Sequence, residues 1–298
     1  YEVTGGLGCG GFPEKGAKAA EESLGEIERI MAGSGLVFVT GGLGGGTGTG
    51  AAPVVAKLAR EMGALTLSVI TTPFQVERGR LVKAKEGLKR LVETCDAVIV
   101  IDNNRLRRVA GNLPLREAFA VVNELIATFI KNISEAMAIP SLVNLDFADM
   151  KAIMMGGGVC AIGFGEGMGE NKVGEAVGKA LDTQLLDIGD TEKAEGALIH
   201  IEGGDDMTLE DVNRAGEIVV NRIAPNARVS WGARVNSALQ GSLRATVVLA
   251  GVDSPFMVEE LKPFGVIRKM TAETREAEVT EKTEKRPTRK GLFGKILG

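Results

Sequence analysis

Residues Gly41 to Gly50 read GGLGGGTGTG and lie between an apolar segment, Leu36-Val37-Phe38-Val39, and a helix-forming run, AAPVVAKLAREM. A strand that feeds a helix through glycines has the makings of a phosphate cradle. Glycine lets the backbone turn through positive φ and brings its N–H groups close to an anion, and the following helix adds the positive end of its dipole. Thr47 and Thr49 add hydroxyl donors. The competing reading is a merely flexible turn, and it fares worse because seven consecutive Gly or Thr positions, Gly44 to Gly50, cost folding entropy without adding core.

Spacing sorts the nucleotide-binding alternatives. No GxxxxGK[ST] occurs, so this is not a P-loop, and the run lacks a strict GxGxxG. That pattern occurs once elsewhere, at Gly6, Gly8 and Gly11, where no strand precedes it within the chain, so a dinucleotide fold is weakly supported there.

The 298 residues are 44% hydrophobic and 25% charged, enough for one large or two ordinary domains with real cores. No run of about 18 apolar residues and no signal peptide is present, which makes the cytoplasm the default expectation. The first residue, Tyr1, is not an initiating Met, and truncation at the N-terminus is expected. Cys9, Cys95 and Cys160 lie far apart with no metal-ligand spacing and read as small buried side chains in a reducing compartment. One histidine, His200, lies in the apolar run ALIHIEG and reads as structural, which excludes His-based triads and multi-histidine metal sites. Catalysis then falls to carboxylates, backbone amides, arginines and a bound metal ion. From Phe256 onward 10 Lys and Arg face 7 Asp and Glu, so the body is acidic, which argues against nucleic acid as a partner.

Up to about Ile101 helix-like and strand-like segments alternate, as in a parallel sheet covered by helices. Helices are predicted over Pro13 to Met31, Ala51 to Met62 and Gly79 to Glu93, and strands over Leu36 to Thr40, Leu65 to Thr71 and Ala97 to Ile101. All three strands carry Val, Ile or Leu on both faces, which predicts burial on both. A long buried helix spans Pro114 to Ala138, with Leu115, Phe119, Val122, Leu125, Ile126, Phe129, Ile130 and Ile133 on its apolar stripe. Four further strands, near Val159 to Phe164, Ala197 to Ile201, Arg228 to Trp231 and Leu243 to Ala250, and helices near Lys172 to Leu181 and Leu209 to Arg222 predict a smaller, mixed α/β domain. The expected division is 1–138, 139–255 and a charged, solvated tail, 256–298, that ends in the apolar octet GLFGKILG.

Several ordered motifs resemble the tubulin/FtsZ GTPases, and the FtsZ branch more than the tubulin branch. GGGTGTG at Gly44 to Gly50 resembles the family's signature loop, and Gly6-Leu7-Gly8-Cys9-Gly10-Gly11-Phe12-Pro13-Glu14 its third nucleotide loop. Pro73-Phe74 with Glu77 resembles the ribose-contacting segment, and Asn144-Leu145-Asp146-Phe147-Ala148-Asp149 the synergy loop. The resemblance covers roughly Tyr1 to Ser254. It implies a parallel-sheet GTPase domain joined by a long central helix to a smaller α/β domain with a mixed sheet.

The resemblance also implies a cytoplasmic GTPase at the mid-cell division site that uses GTP and Mg²⁺, forms head-to-tail protofilaments and shares each active site between two subunits. Gly44, Gly45, Gly46, Thr47, Gly48 and Thr49 would hold the phosphates, and Gly8, Gly10 and Gly11 would approach the γ-phosphate. Glu77 would contact the ribose, Arg80, with Arg78 as its rival, a phosphate, and Phe119, Asn123 and Glu124 the guanine end. Asp146 and Asp149, with Asn144, would enter the next subunit's site and orient the attacking water. The terminal octet would recruit membrane-tethering division adaptors, so contact with the membrane is indirect.

Each role has a plainer rival: Asp146 and Asp149 as helix caps, Phe119 as packing, Glu77 and Arg80 as exposed loop and helix-start charges. Asn123, an amide on the apolar stripe, would need a hydrogen-bond partner. Phe12, Asp102 and Arg78 depart from the family pattern, and the segment before Arg80 is one residue short. A noncatalytic assembly protein of the family, or an oxidoreductase using a dinucleotide, are the alternative functions.

Overall fold

The computed structural model describes residues 3–139, 141–155, 158–182 and 191–258. The expected charged tail beyond 258, its terminal octet included, lies outside the described residues.

Parallel pairing organises the N-terminal half. Strands β1 (Leu36–Gly42), β2 (Leu65–Thr72) and β3 (Ala97–Asp102) run parallel, linked by helices α3 (Thr47–Glu61) and α4 (Arg78–Thr94). All three strands therefore end on the same side, where a ligand meets the loops that follow them. Upstream of β1 the single helix expected over Pro13 to Met31 is two, α1 (Pro13–Glu22) and α2 (Leu24–Met31). Ser23, at φ −106° and ψ 10°, leaves the helical range between them. Gly16 and Ala20 of α1 are buried, whereas no residue of α2 is, so only α1 is fixed by the core.

The sheet does not end with β3. It continues through β4 (Gly158–Met168), β5 (Gly196–Gly203), β6 (Arg228–Val235) and β7 (Ser242–Ala250) in the order β1-β2-β3-β4-β7-β5-β6. β7 runs antiparallel to both β4 and β5, which makes this half mixed, as expected. The join is narrow: β3 meets β4 over three residue pairs, Ala97 with Gly158 to Ile99 with Cys160. β2 and β3 are almost wholly buried, as their composition predicts, but β1 is an edge strand and only half buried. Helices α8 (Lys172–Leu181) and α9 (Leu209–Val220) complete this half. Thr208 and Asp211 form a reciprocal capping box at the start of α9.

Helix α5 (Asn103–Ala110), which the sequence reading passes over, follows β3 directly, and then comes α6 (Leu115–Ala138). The 24 residues of α6 make a rod roughly 36 Å long. Its Phe129 meets Phe38 of β1 edge to face at 5.5 Å, and Leu125, Ile126 and Phe129 lie with Val69, Ile99, Ile101, Ile162 and Phe164 of the sheet. Towards its C-terminal end the contacts turn polar. Asn132 donates to the Thr246 hydroxyl at 3.1 Å, and Glu135 pairs with Arg234 at 3.4 Å. The apolar stripe fails only at the N-terminal end, where Leu115 is 71% and Phe119 38% exposed.

The three cysteines are buried free thiols, as read from the sequence, and burial pushes Cys95 and Cys160 up to about 12, which leaves both unreactive. His200 is also buried, near Arg234, and its Nε2 has no hydrogen-bond partner. Burial first, and the Arg234 charge second, hold its pKa below the ordinary 6.5. The unfolded chain thus takes up a proton that the folded chain refuses. Stability from this group is complete above about pH 6.5 and is lost as the pH falls below it. Urea midpoints should therefore drop between about pH 7 and pH 5.5, and drop less steeply in His200→Gln. Parallel pH dependences in the two proteins would clear His200 of any part in acid lability.

Candidate functional site

Five segments meet where β1, β2 and β3 end. The glycine run belongs partly to the loop and partly to the helix, because α3 begins at Thr47, four residues earlier than its apolar pattern suggests. Gly44 has φ +94°, and a Cβ there would lie 2.8 Å from the Arg80 Cβ. A Cβ on Gly46 would lie 2.5 Å from the Cys9 Cβ and 3.0 Å from the Phe12 nitrogen and oxygen. Several glycines thus let α1, α3, α4 and the 5–12 loop pack closely, a role the entropy argument from sequence overlooked. Gly45 and Gly8 are different: a Cβ on either would meet nothing within 4 Å, so these two face open space.

The two threonines also separate. Thr49 is 2% exposed, and its hydroxyl oxygen accepts the Gly44 N–H at 2.9 Å. It is expected among the phosphate donors; in the structure it closes the loop from inside. Thr47 is exposed at the helix start, where its hydroxyl donates to the Cys9 sulfur at 3.5 Å. Around it lie the first-turn amides of α3, which an α-helix leaves without internal carbonyl partners.

The 73–80 segment is tied down by Glu77. One carboxylate oxygen accepts the Phe74 N–H at 3.1 Å and the other accepts from Arg80 at 2.6 Å. Glu77 is thus more than a plain exposed loop charge, whereas Arg80, 62% exposed in the first turn of α4, also fits the helix-start charge of the rival reading. Phe74 meets Phe119 edge to face with ring centres 6.2 Å apart, which brings the exposed N-terminal end of α6 to this site. Asn123 and Glu124 are exposed on the same end. The amide of Asn123 is therefore not a buried group in need of a partner, and its case rests on position alone.

Three residues that the sequence reading left out hold these loops. Asn104 accepts the Gln75 N–H at 2.7 Å and donates to the Asp102 carboxylate at 2.8 Å. Thr72 donates to the same carboxylate at 3.2 Å. Asp102, noted only as a departure from the family pattern, is thus the N-cap of α5 and the hub of two loops. Lys83 of α4 donates to the Gly11 carbonyl at 2.6 Å and fixes the 5–12 loop. An Asp directly after an apolar strand is a cap signal that marks α5; Lys83 left no local signal.

The carboxylates lie elsewhere. Asp146 caps α7 (Phe147–Met154) by accepting the Ala148 N–H at 3.1 Å, so the capping role and the proposed chemical one fall on the same side chain. Asp149, exposed one turn on, accepts from the Ser230 hydroxyl at 3.3 Å, and Asn144 accepts the Ser141 N–H at 2.7 Å. This loop follows the C-terminal end of α6. Phe119, expected at the nucleotide, and the helix end at Ala138 are thus roughly 30 Å apart along one rod.

Glycine loops and a helix start at the ends of parallel strands, without a P-loop lysine, define a nucleotide-binding α/β protein of the tubulin type. Residues 1–111 match the family described as "Tubulin/FtsZ family, GTPase domain", and residues 158–253 match "FtsZ family, C-terminal domain". The chain is 48% identical over 275 residues to cell division protein FtsZ 2 of Methanocaldococcus jannaschii, covering 91% of this chain and 72% of that one. To FtsZ 2 of Halobacterium salinarum it is 47% identical, covering 85% and 64%. Among solved structures it resembles the empty FtsZ dimer of M. jannaschii, with TM-score 0.76, 41% identity and coverage of 89% and 80%. It also resembles the GTPγS-bound CetZ2 protofilament of Haloferax volcanii, with TM-score 0.69, 25% identity and coverage of 93% and 82%. The chain belongs to the FtsZ family of cell-division GTPases. It spans 64% to 72% of the length of these two curated relatives.

The close approach at Gly46 makes a direct test. Gly46→Ala should cost about 1–3 kcal/mol of stability, because the new methyl must displace Cys9 or the Phe12 backbone. It should also weaken guanine-nucleotide binding. Thermal melts with and without GTP measure both, and an unshifted melt would mean that the 5–12 loop yields freely.

Proposed function

We propose that GTP binds across the loops at the ends of β1, β2 and β3 and is hydrolysed when a second subunit brings its Asp146 and Asp149 to that site. The observation that carries this reading is the separation of the two sets of residues by the length of α6. One subunit alone does not join them; head-to-tail stacking does. The dimer and protofilament structures named above, of other family members, support such stacking. Beside the carboxylates, Leu142 is 74% exposed, with Phe147 and Trp231 part-exposed nearby, an apolar surface suited to a protein contact.

Within this arrangement the first-turn amides of α3, with Gly45 and Gly46, hold phosphate oxygens, and Gly8 to Gly11 close over the γ-phosphate. Glu77 is directed to the ribose, and Phe119, Asn123 and Glu124 to the base. Asp146 and Asp149 orient a water for in-line attack on the γ-phosphorus and take up its proton as GDP leaves. Among the described residues no three His, Cys, Asp or Glu side chains gather as a metal site, so Mg²⁺ would bind through the triphosphate with few protein ligands. When bound it neutralises charge on the transferred phosphoryl group.

No helix among the described residues is long and apolar enough to cross a membrane. We assign the chain to the cytoplasm at the division site as a homopolymer, with adaptor contacts through the terminal octet.

Phosphate release measured against protein concentration, with GTP and Mg²⁺, should rise from near zero above a threshold. Asp149→Ala should keep nucleotide binding and lose turnover by a factor of 100 or more, roughly what removal of a water-positioning group costs. Turnover strictly proportional to concentration from the lowest dilution, or undiminished in the variant, would overturn the shared site. Asn123→Asp should erode the preference for GTP over ATP, since an acceptor replaces the amide's donor and acceptor pair. Unchanged discrimination would remove Asn123 from base reading.

A further inference from the structure

The segment that joins α6 to the carboxylate loop is fastened at both ends to consecutive residues of one strand. At its start, Glu135 of α6 pairs with Arg234 of β6 at 3.4 Å. At its end, Val143 and Ala233 exchange both backbone hydrogen bonds, at 3.2 and 3.0 Å. A third contact follows, from Ser230 of β6 to Asp149. Gly232 keeps the strand close: a Cβ there would lie 2.8 Å from the Leu145 Cγ and 3.0 Å from the Val143 oxygen. The loop carrying Asp146 and Asp149 is therefore templated on β6, and Glu135 is where α6 meets that template.

Arg234 is a costly way to make a contact. Its side chain is only 15% exposed, it also pairs with Glu202 of β5 at 2.5 Å, and its Nε is buried without a hydrogen-bond partner. Asn236 donates to the same Glu202 carboxylate at 2.8 Å. Buried ion pairs of this kind add little net stability over apolar packing, and their best-attested use is to specify register. An apolar side chain at 234 would pack against α6 in several registers one or two ångströms apart. A single Nη2 that must reach both carboxylates accepts few.

Resting on the shared-site reading above, we propose that Arg234 and Glu135 are positioning residues for GTP hydrolysis: their ion pair fixes the axial register of α6 against β6 and so sets where Asp146 and Asp149 reach the neighbouring subunit. Neither touches the nucleotide. Each acts through the loop whose two ends β6 holds. The same rod carries Phe119 at its other end, so a register error of an ångström at Glu135 displaces the carboxylates relative to the base site.

Glu135→Gln tests this, because it cuts the tie to α6 and leaves Arg234 paired with Glu202. Turnover per sedimented subunit should fall roughly 10- to 100-fold, since misplacement of about 1 Å can cost up to about 100-fold in rate. GTP affinity should stay within about twofold, and Glu135→Asp should recover part of the loss. A purely structural role would lower the melting temperature or the amount of polymer and leave turnover per sedimented subunit unchanged; that result overturns the proposal. If Glu135→Gln does not fold, Arg234→Lys, which keeps the charge and loses the Nη2 that meets both carboxylates, is read by the same ratio. Asp149→Ala run beside them separates the two levels. An inactive Asp149→Ala with a fully active Glu135→Gln defeats the register proposal alone, whereas an active Asp149→Ala defeats the shared site beneath it.

Discussion

Helix α6 is buried along most of one stripe and carries 24 residues without a proline or glycine, so it can neither shorten nor hinge at small cost. Val122, Phe129, Ile133 and Ala136 anchor it to the core. The proposed nucleotide and carboxylate residues are placed relative to that rod. Its N-terminal end buries Ala118 and Val122 but leaves Phe119 exposed beside Phe74, where a planar ligand could meet an aromatic side chain, and its C-terminal end hands the chain to the carboxylate loop. On the proposed reading, a site divided by a rigid element of this length could not be completed by loop motion within one subunit, and assembly would be part of the catalytic geometry.

The second constraint is the parallel start of the sheet. Because β1, β2 and β3 share a direction, the loops at 43–46, 73–77 and 103–104 emerge side by side, and short polar links are enough to set them. The links run from Thr49 to Gly44, from Glu77 to Phe74, and from Asn104 to Gln75 and Asp102. Each satisfies a backbone group or a carboxylate that would otherwise need water when a nucleotide covers it. On the proposed reading the cradle is largely built before ligand arrives, which would spare binding the cost of ordering it.

Much of this was legible in the sequence because period and punctuation agreed with the final fold. The apolar cores of β2 and β3, the stripe of α6 and the bounds of α8 follow from pattern alone. What the sequence hid is what depends on distant neighbours. The division at Ser23 separates an anchored helix from one that buries nothing, and periodicity carries no trace of that. Helix α5 has few apolar positions, Leu106 and Ala110 among them, so its cap at Asp102 was a better sign than its hydrophobicity. Asn123 lies on an apolar stripe in the sequence and in solvent in the structure, because the buried face of α6 there runs through Ala118 and Val122 and leaves Phe119 and Asn123 exposed beside it. The joining of the two halves into one sheet, through three residue pairs between β3 and β4, is a long-range pairing that local pattern does not encode.

The division of labour at β6 follows from its being an edge. A central strand spends its backbone groups on two neighbours, whereas β6 is paired with β5 on one side and keeps the other free for the Val143 bridge. Edge strands that expose apolar side chains invite pairing with other chains. Here the exposed Val229 and Trp231 lie on the strand that also holds the carboxylate loop. Contact with a second subunit at this face would therefore press on the same strand that sets the carboxylates, so docking and orientation of the attacking group would be one mechanical event. On the register proposal, the ion pair at Arg234 would tie the strand to α6 where that load passes, and a stiff connection transmits a displacement that a soft one would absorb.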